Sequence, residues 1–293
     1  MFSRRWRNLI GLIVFVLPLI AGCELLSHFT RNNQEHTEKE PLTGAPGKQS
    51  FRLDQFIFLA DFEIRKDHPL FKDLGSLREQ VNRELRLPSS QREVWVYLFE
   101  DKARYEKFMQ TKYRDLPIRR AFFVVQPRRL GGAEDLNVYT YLGDNIHQDL
   151  RHELTHALLH CSLKNVPIWL DEGLAEYFEL PTSQQGVNVK HVEHMHQMNA
   201  KFDLVRLEKL QDVHQMTSVE YRESWAWVHM MLRTTPQAKQ ALLNYLHDLR
   251  NNPNPPALRP RLVNAIPSVS PELAVQSHLG ELGRQALRNA SVR

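Results

Sequence analysis

From residue 51 onward the chain switches repeatedly between two periodicities, and their order predicts the architecture. FIFLADFEI (56–64) alternates apolar and polar positions with the period of two of a half-buried strand. DHPLFKDLGSLREQVNREL (67–85) changes to the three-to-four spacing of an amphipathic helix. VWVYLFE (94–100) predicts a second strand, and DKARYEKFMQTKY (101–113) a helix opened by Asp101 as N-cap. AFFVVQP (121–127) and NVYTYLG (137–143) predict two more strands around a GGAED turn (131–135). This succession predicts an α/β layer, residues 51–148, with a mixed sheet. The remainder is helical in pattern: a histidine-bearing helix near 150–160, then roughly 167–180, 190–201, 218–233 and 236–250. The expected fold class is therefore α+β, with the sheet layer first and a mainly helical half, 149–250, after it. Residues 251–293 carry few large apolar groups beyond a weak helical pattern at 271–290, so this tail is expected to dock loosely or to be partly disordered.

The first 50 residues have a different texture. MFSRRWRN is a basic head, and LIGLIVFVLPLIAG (9–22) is an apolar run interrupted by Pro18. The run is short against the roughly 20 residues that span a bilayer as a helix, which predicts a signal peptide at 1–22. The tetrad Ile20-Ala21-Gly22-Cys23 resembles the lipobox of bacterial lipoproteins. That resemblance implies acylation at Cys23 and an exported protein lipid-anchored to a bacterial membrane, on the periplasmic or cell-surface face. The polar stretch from Cys23 to residue 50 is too poor in apolar surface to fold alone and is expected to be a tether.

Composition changes this picture little. With 42% hydrophobic and 25% charged residues the 293-residue chain is an ordinary globular protein. Its net charge of +4 comes from 38 basic and 34 acidic residues, and three of the basic ones are Arg4, Arg5 and Arg7. Past residue 22 the balance is near neutral, and nothing in it calls for a nucleic-acid partner, so none is expected. Without the leader and Cys23, one cysteine is left, Cys161, and it is expected to be a core residue rather than a nucleophile or ligand.

The candidate chemistry lies in RHELTHALLH (151–160). On a helix, His152 and His156 share a face one turn apart and can present two imidazole nitrogens to one metal ion. Glu153 then falls beside the ion's open position, where a general base belongs. A few residues later NVPIWLDEGLAEYFEL (165–180) predicts an antiparallel neighbour whose Glu172, Glu176 and Glu179 lie on one face. Helix geometry alone leaves Glu172 and Glu176 both open as a third ligand.

Taken together, H-E-L-T-H and W-L-D-E-G-L-A-E-Y resemble the gluzincin branch of zinc metallopeptidases, which includes thermolysin-like enzymes and zinc aminopeptidases. The resemblance implies a zincin-like fold and one zinc ion held by His152, His156 and Glu172. It implies Glu176 as an outer carboxylate that orients a ligand histidine, and a tyrosine or histidine from a later helix against the oxyanion. Tyr221 in SVEYRESWAWVHMML (218–232) is the candidate for that position, with His229 a weaker rival. It also implies a peptide substrate bound as an added strand along the edge of NVYTYLG or AFFVVQP. One departure stands out: only 15 residues separate His156 from Glu172, fewer than in better-known members.

Other histidines are assigned no ligand role. His160, a turn beyond His156, is expected in the core or supporting the site, and His191, His194 and His196 are expected on an exposed helix. The expected function is zinc-dependent hydrolysis of a peptide or protein substrate, with Glu153 and Tyr221 as the catalytic side chains. The rival readings are a non-catalytic lipid-anchored binding or assembly module of the same fold, and a metal-dependent amidase acting on cell-wall crosslinks.

Overall fold

The structure is a computed structural model and describes residues 44–127 and 133–290. The expected signal peptide, the lipidation site Cys23 and most of the tether lie outside the described residues. Five strands form one mixed sheet: β1 (Gln49–Leu53), β2 (Phe56–Ala60), β3 (Val94–Phe99), β4 (Ala121–Gln126) and β5 (Asp135–Tyr141), in the order β1-β2-β3-β5-β4. β2, β3 and β5 run parallel, while β1 and β4 close the two edges antiparallel. β1 begins at Gln49, inside the stretch read as tether, and its pairing with β2 explains how a short polar segment finds order.

Alternation along the strands divides the core in two. Val94, Val96 and Leu98 of β3, with Leu136 and Val138 of β5, enter the main core. Tyr97, Phe99, Phe122, Val124 and Tyr139 point to the opposite face, where Tyr105, Phe108 and Met109 cover them. Those three belong to α2 (Lys102–Lys112), whose N-cap is Asp101, accepting from the Arg104 amide at 2.9 Å. The main face is covered by α1 (Pro69–Leu85) and α3 (Ile146–Ser162). α1 starts with proline in its first turn, where no N–H is needed, and stops at Arg86 in the left-handed region (φ 53°).

The second half is helical, as expected from its pattern: α4 (Ile168–Phe178), α5 (Val189–Gln197), α6 (Leu204–Leu207), α7 (Ser218–Arg233), α8 (Pro236–Asn251), α9 (Leu258–Ala265) and α10 (Pro271–Ala290). α7 and α8 begin within a residue of the predicted positions because their starts carry capping chemistry: a Thr217/Glu220 capping box and a Thr235 cap followed by Pro236. No described helix is long and apolar enough to cross a membrane.

The tail is where the structure departs most from expectation. Residues 258–290 do not dock loosely: Leu258, Leu262 and Val275 are fully buried in the main core. Most of its large apolar groups turn inward, while Val263, Val269 and Leu273 stay exposed. α10 also delivers His278, whose Nε2 lies 2.7 Å from Nδ1 of His229 on α7, and both rings are buried. Burial, then the neighbouring His278 and Arg233, push His229 down to about 3, and burial pushes His278 down as well.

His229 stays neutral when folded and protonates freely when unfolded, so below the ordinary histidine value the unfolded chain binds more protons. Its contribution to stability is complete above pH ~6.5 and declines as pH falls toward 3. Thermal melts should show the wild type losing about 1 kcal/mol more than His229→Gln between pH 7 and pH 5.5.

Candidate metal centre

α3 and α4 are joined by a five-residue turn and run antiparallel, which lines up side chains four apart on α3 with carboxylates on α4. His160 Nε2 meets Asp171 Oδ2 at 3.0 Å. One turn back, His156 Nδ1 faces Asp171 Oδ1 at 3.0 Å, off the hydrogen-bond line, and its Nε2 lies 3.5 Å from Glu172 Oε2. His152 turns its Nε2 to the same Glu172 Oε2 at 3.4 Å, while its Nδ1 meets Glu179 Oε2 at 3.0 Å. Gln148 completes the series by donating to Glu179 Oε1 at 2.6 Å.

The result is a convergence. One nitrogen from each of His152 and His156 and one oxygen of Glu172 lie within 4.8 Å of one another, the only such group of metal-binding side chains among the described residues. Each ligand-type histidine has its far nitrogen against a different carboxylate, which fixes ring orientation and raises basicity. Two imidazoles and one carboxylate around an open side form the donor set of a catalytic zinc site, so the residues present fit the ion. Glu172 is thus the carboxylate that geometry selects over Glu176.

Glu176 does not orient either histidine, contrary to expectation. At about 100° per residue it lies roughly 40° to one side of Glu172 while Glu179 lies roughly 20° to the other, and it pairs instead with His191 Nε2 at 2.7 Å. The orienting carboxylates are Asp171 and Glu179. Glu179 had a sequence signal in its seven-residue spacing from Glu172; Asp171 had none, because it precedes Glu172 and a helical wheel puts it 100° away. His160 is held by Asp171 and packs on Phe123 of β4, in the supporting position expected for it. Cys161 is half-buried against the core, accepts a weak contact from Gln55 Nε2 at 3.3 Å and takes no part. His229 is buried beside His278, away from the cleft, and His194 and His196 are exposed.

Tyr221 does reach the site. Its hydroxyl donates to Glu172 Oε1 at 3.3 Å and also meets the guanidinium of Arg119, a residue without any motif to announce it. The approach depends on Gly173. A Cβ there would lie 2.6 Å from the backbone oxygen of Ser224 on α7, so glycine lets α4 and α7 touch along their backbones. Arg206 anchors the first turns of α7 by pairing with Glu220 and Glu223.

The electrostatics follow from this crowding. Burial disfavours charge on His152 and His156, yet the facing carboxylates outweigh it: His152 is held well above the histidine range and His156 is raised to about 10. Burial would raise Asp171 and Glu172, but the histidines hold both low, Asp171 at about 2. Glu153 is raised by burial, only partly offset by His152 and His156, and no hydrogen bond ties it down among the described residues. It opens with Tyr221 and Arg119 into a cleft of ≈ 630 Å³. Of the two strands proposed as a substrate edge, β5 is interior and β4 is the edge, with Ala121 lining the cleft.

Residues 146–254, from the start of α3 to just past α8, match the family model described as "Protein of unknown function (DUF1570)". No curated protein matches the chain.

Gly173→Ala should cost about 1–3 kcal/mol in denaturant unfolding, despite alanine's higher helix propensity, because the clash is with backbone. Chelator competition should show zinc affinity lowered by about 10–100-fold in Asp171→Asn and in Glu179→Gln. Glu176→Gln, which touches neither ligand histidine, should stay within about twofold of wild type by the same measurement, well short of an orienting carboxylate's effect.

Proposed function

We propose that this protein is a zinc-dependent peptide hydrolase of gluzincin type, using His152, His156 and Glu172 as ligands. The observation that carries the reading is the convergence of the two Nε2 atoms on one Glu172 oxygen, while each Nδ1 is turned to its own carboxylate. An ion-pair network that served structure alone has no need of an unpaired carboxylate beside it, and Glu153 is one.

When bound, zinc supplies Lewis acidity, which makes water a stronger acid near neutral pH and polarises a carbonyl. The chain's own groups divide the remaining work. Glu153, raised by its burial toward the working pH, takes the proton of the attacking water and hands it to the leaving amine. Tyr221 and Arg119 present hydrogen-bond donors on the side of Glu172, where charge on the carbonyl oxygen grows as the tetrahedral centre forms. β4, an edge strand with open backbone groups at the cleft, is suited to pair with an extended polypeptide and hold the scissile bond over the ligands. Asp171, Glu179 and His160 keep the imidazoles from rotating.

Metal analysis of the full chain should give one zinc per molecule, and a chelator should abolish cleavage of a mixed peptide pool. Glu153→Gln should retain the metal and lose about 10²–10⁴-fold in kcat/KM. Tyr221→Phe should lose about 10²-fold or more in kcat, with KM little changed. Zinc bound without cleavage of any peptide, or Glu153→Gln as active as wild type, sinks this reading.

A further inference from the structure

Around the cleft the carboxylates have close partners more often than the cations do. Of the carboxylates that line it, Asp149 accepts from Arg120 at 2.8 Å, Glu176 faces His191, Glu179 faces His152, and Glu172 faces both ligand-type histidines. Only Glu153 lacks such a partner, and in the proposed reading it is committed to the proton. The cations are less fully used. Arg119, Lys190 and Arg222 also line the cleft, and among the described residues no carboxylate lies within 4.0 Å of any of them. Arg222 donates to the Ser218 hydroxyl at 2.9 Å, and Arg119 hydrogen-bonds the Tyr221 hydroxyl while Glu172 and Glu153 feel its charge from beyond ion-pair distance.

These three cations come from three directions: the segment leading into β4, the first turn of α5 and the second turn of α7. They therefore surround the space in front of Glu153 and Glu172 rather than lying along one outer face. Arg119 and Lys190 are exposed, and a guanidinium or ammonium in a concave site attracts and hydrogen-bonds an anion more strongly than on a flat surface.

We propose that the cleft recognises a carboxylate on the peptide it binds, close to the scissile bond, through Arg222 and Lys190 with Arg119 beside them. This rests on the reading of the cleft as a peptide-binding hydrolytic site, and it names the substrate class: acidic peptide segments or chain ends. The carboxylate comes from an aspartate or glutamate side chain or from a C-terminus, two sources that share one chemistry.

The test is binding to the zinc-loaded full chain carrying Glu153→Gln, followed by anisotropy of peptides bearing an uncharged fluorophore at low ionic strength. Three peptides of equal length are compared: glutamate-containing with both ends blocked, its glutamine counterpart with both ends blocked, and the glutamine peptide with a free C-terminus. At least one carboxylate peptide should bind about tenfold tighter than the blocked glutamine peptide, the scale of one charge-assisted hydrogen bond. Preference for the first carboxylate peptide identifies a side-chain source, and preference for the last a terminal one. The combined Arg222→Gln and Lys190→Gln substitutions should erase the preference, and Arg222→Glu with Lys190→Glu should invert it. Equal binding of all three peptides overturns the proposal, and so does a preference that survives the double substitution, since that would come from the metal ion. Wild-type cleavage of the same peptides separates the two readings: cleavage without preference defeats carboxylate recognition alone, and preference without cleavage defeats hydrolysis alone.

Discussion

The architecture turns on one helix that has no free face. Ten of the eleven residues of α4 are buried, and only Glu176 keeps partial access to the cleft. A helix enclosed in this way normally carries apolar residues all round. α4 instead buries Asp171 and Glu172 along the seam with α3, and puts Gly173 against the backbone of α7 on its other side. Buried carboxylates are costly unless each finds hydrogen-bonded, oppositely charged company. The histidines of α3 are that company, so the same contacts that make the helix tolerable in the core also compose the candidate centre.

Rigidity around this seam is arranged from three sides. Arg151, the residue just before His152, is fully buried with its guanidinium satisfied: by Asp73 and Gln80 of α1 and by the carbonyls of Phe178 and Leu180 at the end of α4. That single side chain ties α1, α3 and the exit of α4 together. Phe123 of the edge strand stacks beside His156 and His160. Gly173 admits α7, and with it Tyr221, to within reach of Glu172. A site whose supports are themselves locked by packing holds its geometry within the tolerance that chemistry requires.

The cleft that results is asymmetric. Its floor is a densely paired seam of histidines and carboxylates, and its walls carry Arg119, Lys190 and Arg222, which have no carboxylate within 4.0 Å among the described residues. The carboxylates of the floor are engaged with the imidazoles, which leaves the wall cations as the charged groups open to an anion. The proposed hydrolysis and the proposed carboxylate recognition draw on different parts of this arrangement: the first on the seam, the second on the walls.

Periodicity, caps and turn residues were enough to read most of the elements, because they act within a few residues of one another: Asp101, Thr217 with Glu220, and Thr235 with Pro236 each start a helix where the pattern places it. The same local logic put His152, His156 and Glu153 on one helix and a glutamate-bearing helix after them. What local logic does not encode is rotation of one helix about its axis relative to another. That rotation, set by Gly173 against Ser224 and by Arg151 against the end of α4, decided Glu172 over Glu176 as the converging carboxylate. It also gave the task of orienting the histidines to Asp171 and Glu179, and turned Glu176 to His191. Likewise the burial of the tail and the arrival of Arg119 beside Tyr221 depend on contacts between segments more than 40 residues apart. Spacing along the chain settles which groups are present and on which helices they stand. Which of them meet is settled by packing, because distance across a packed interface depends on the shapes of both surfaces and not on spacing along either helix.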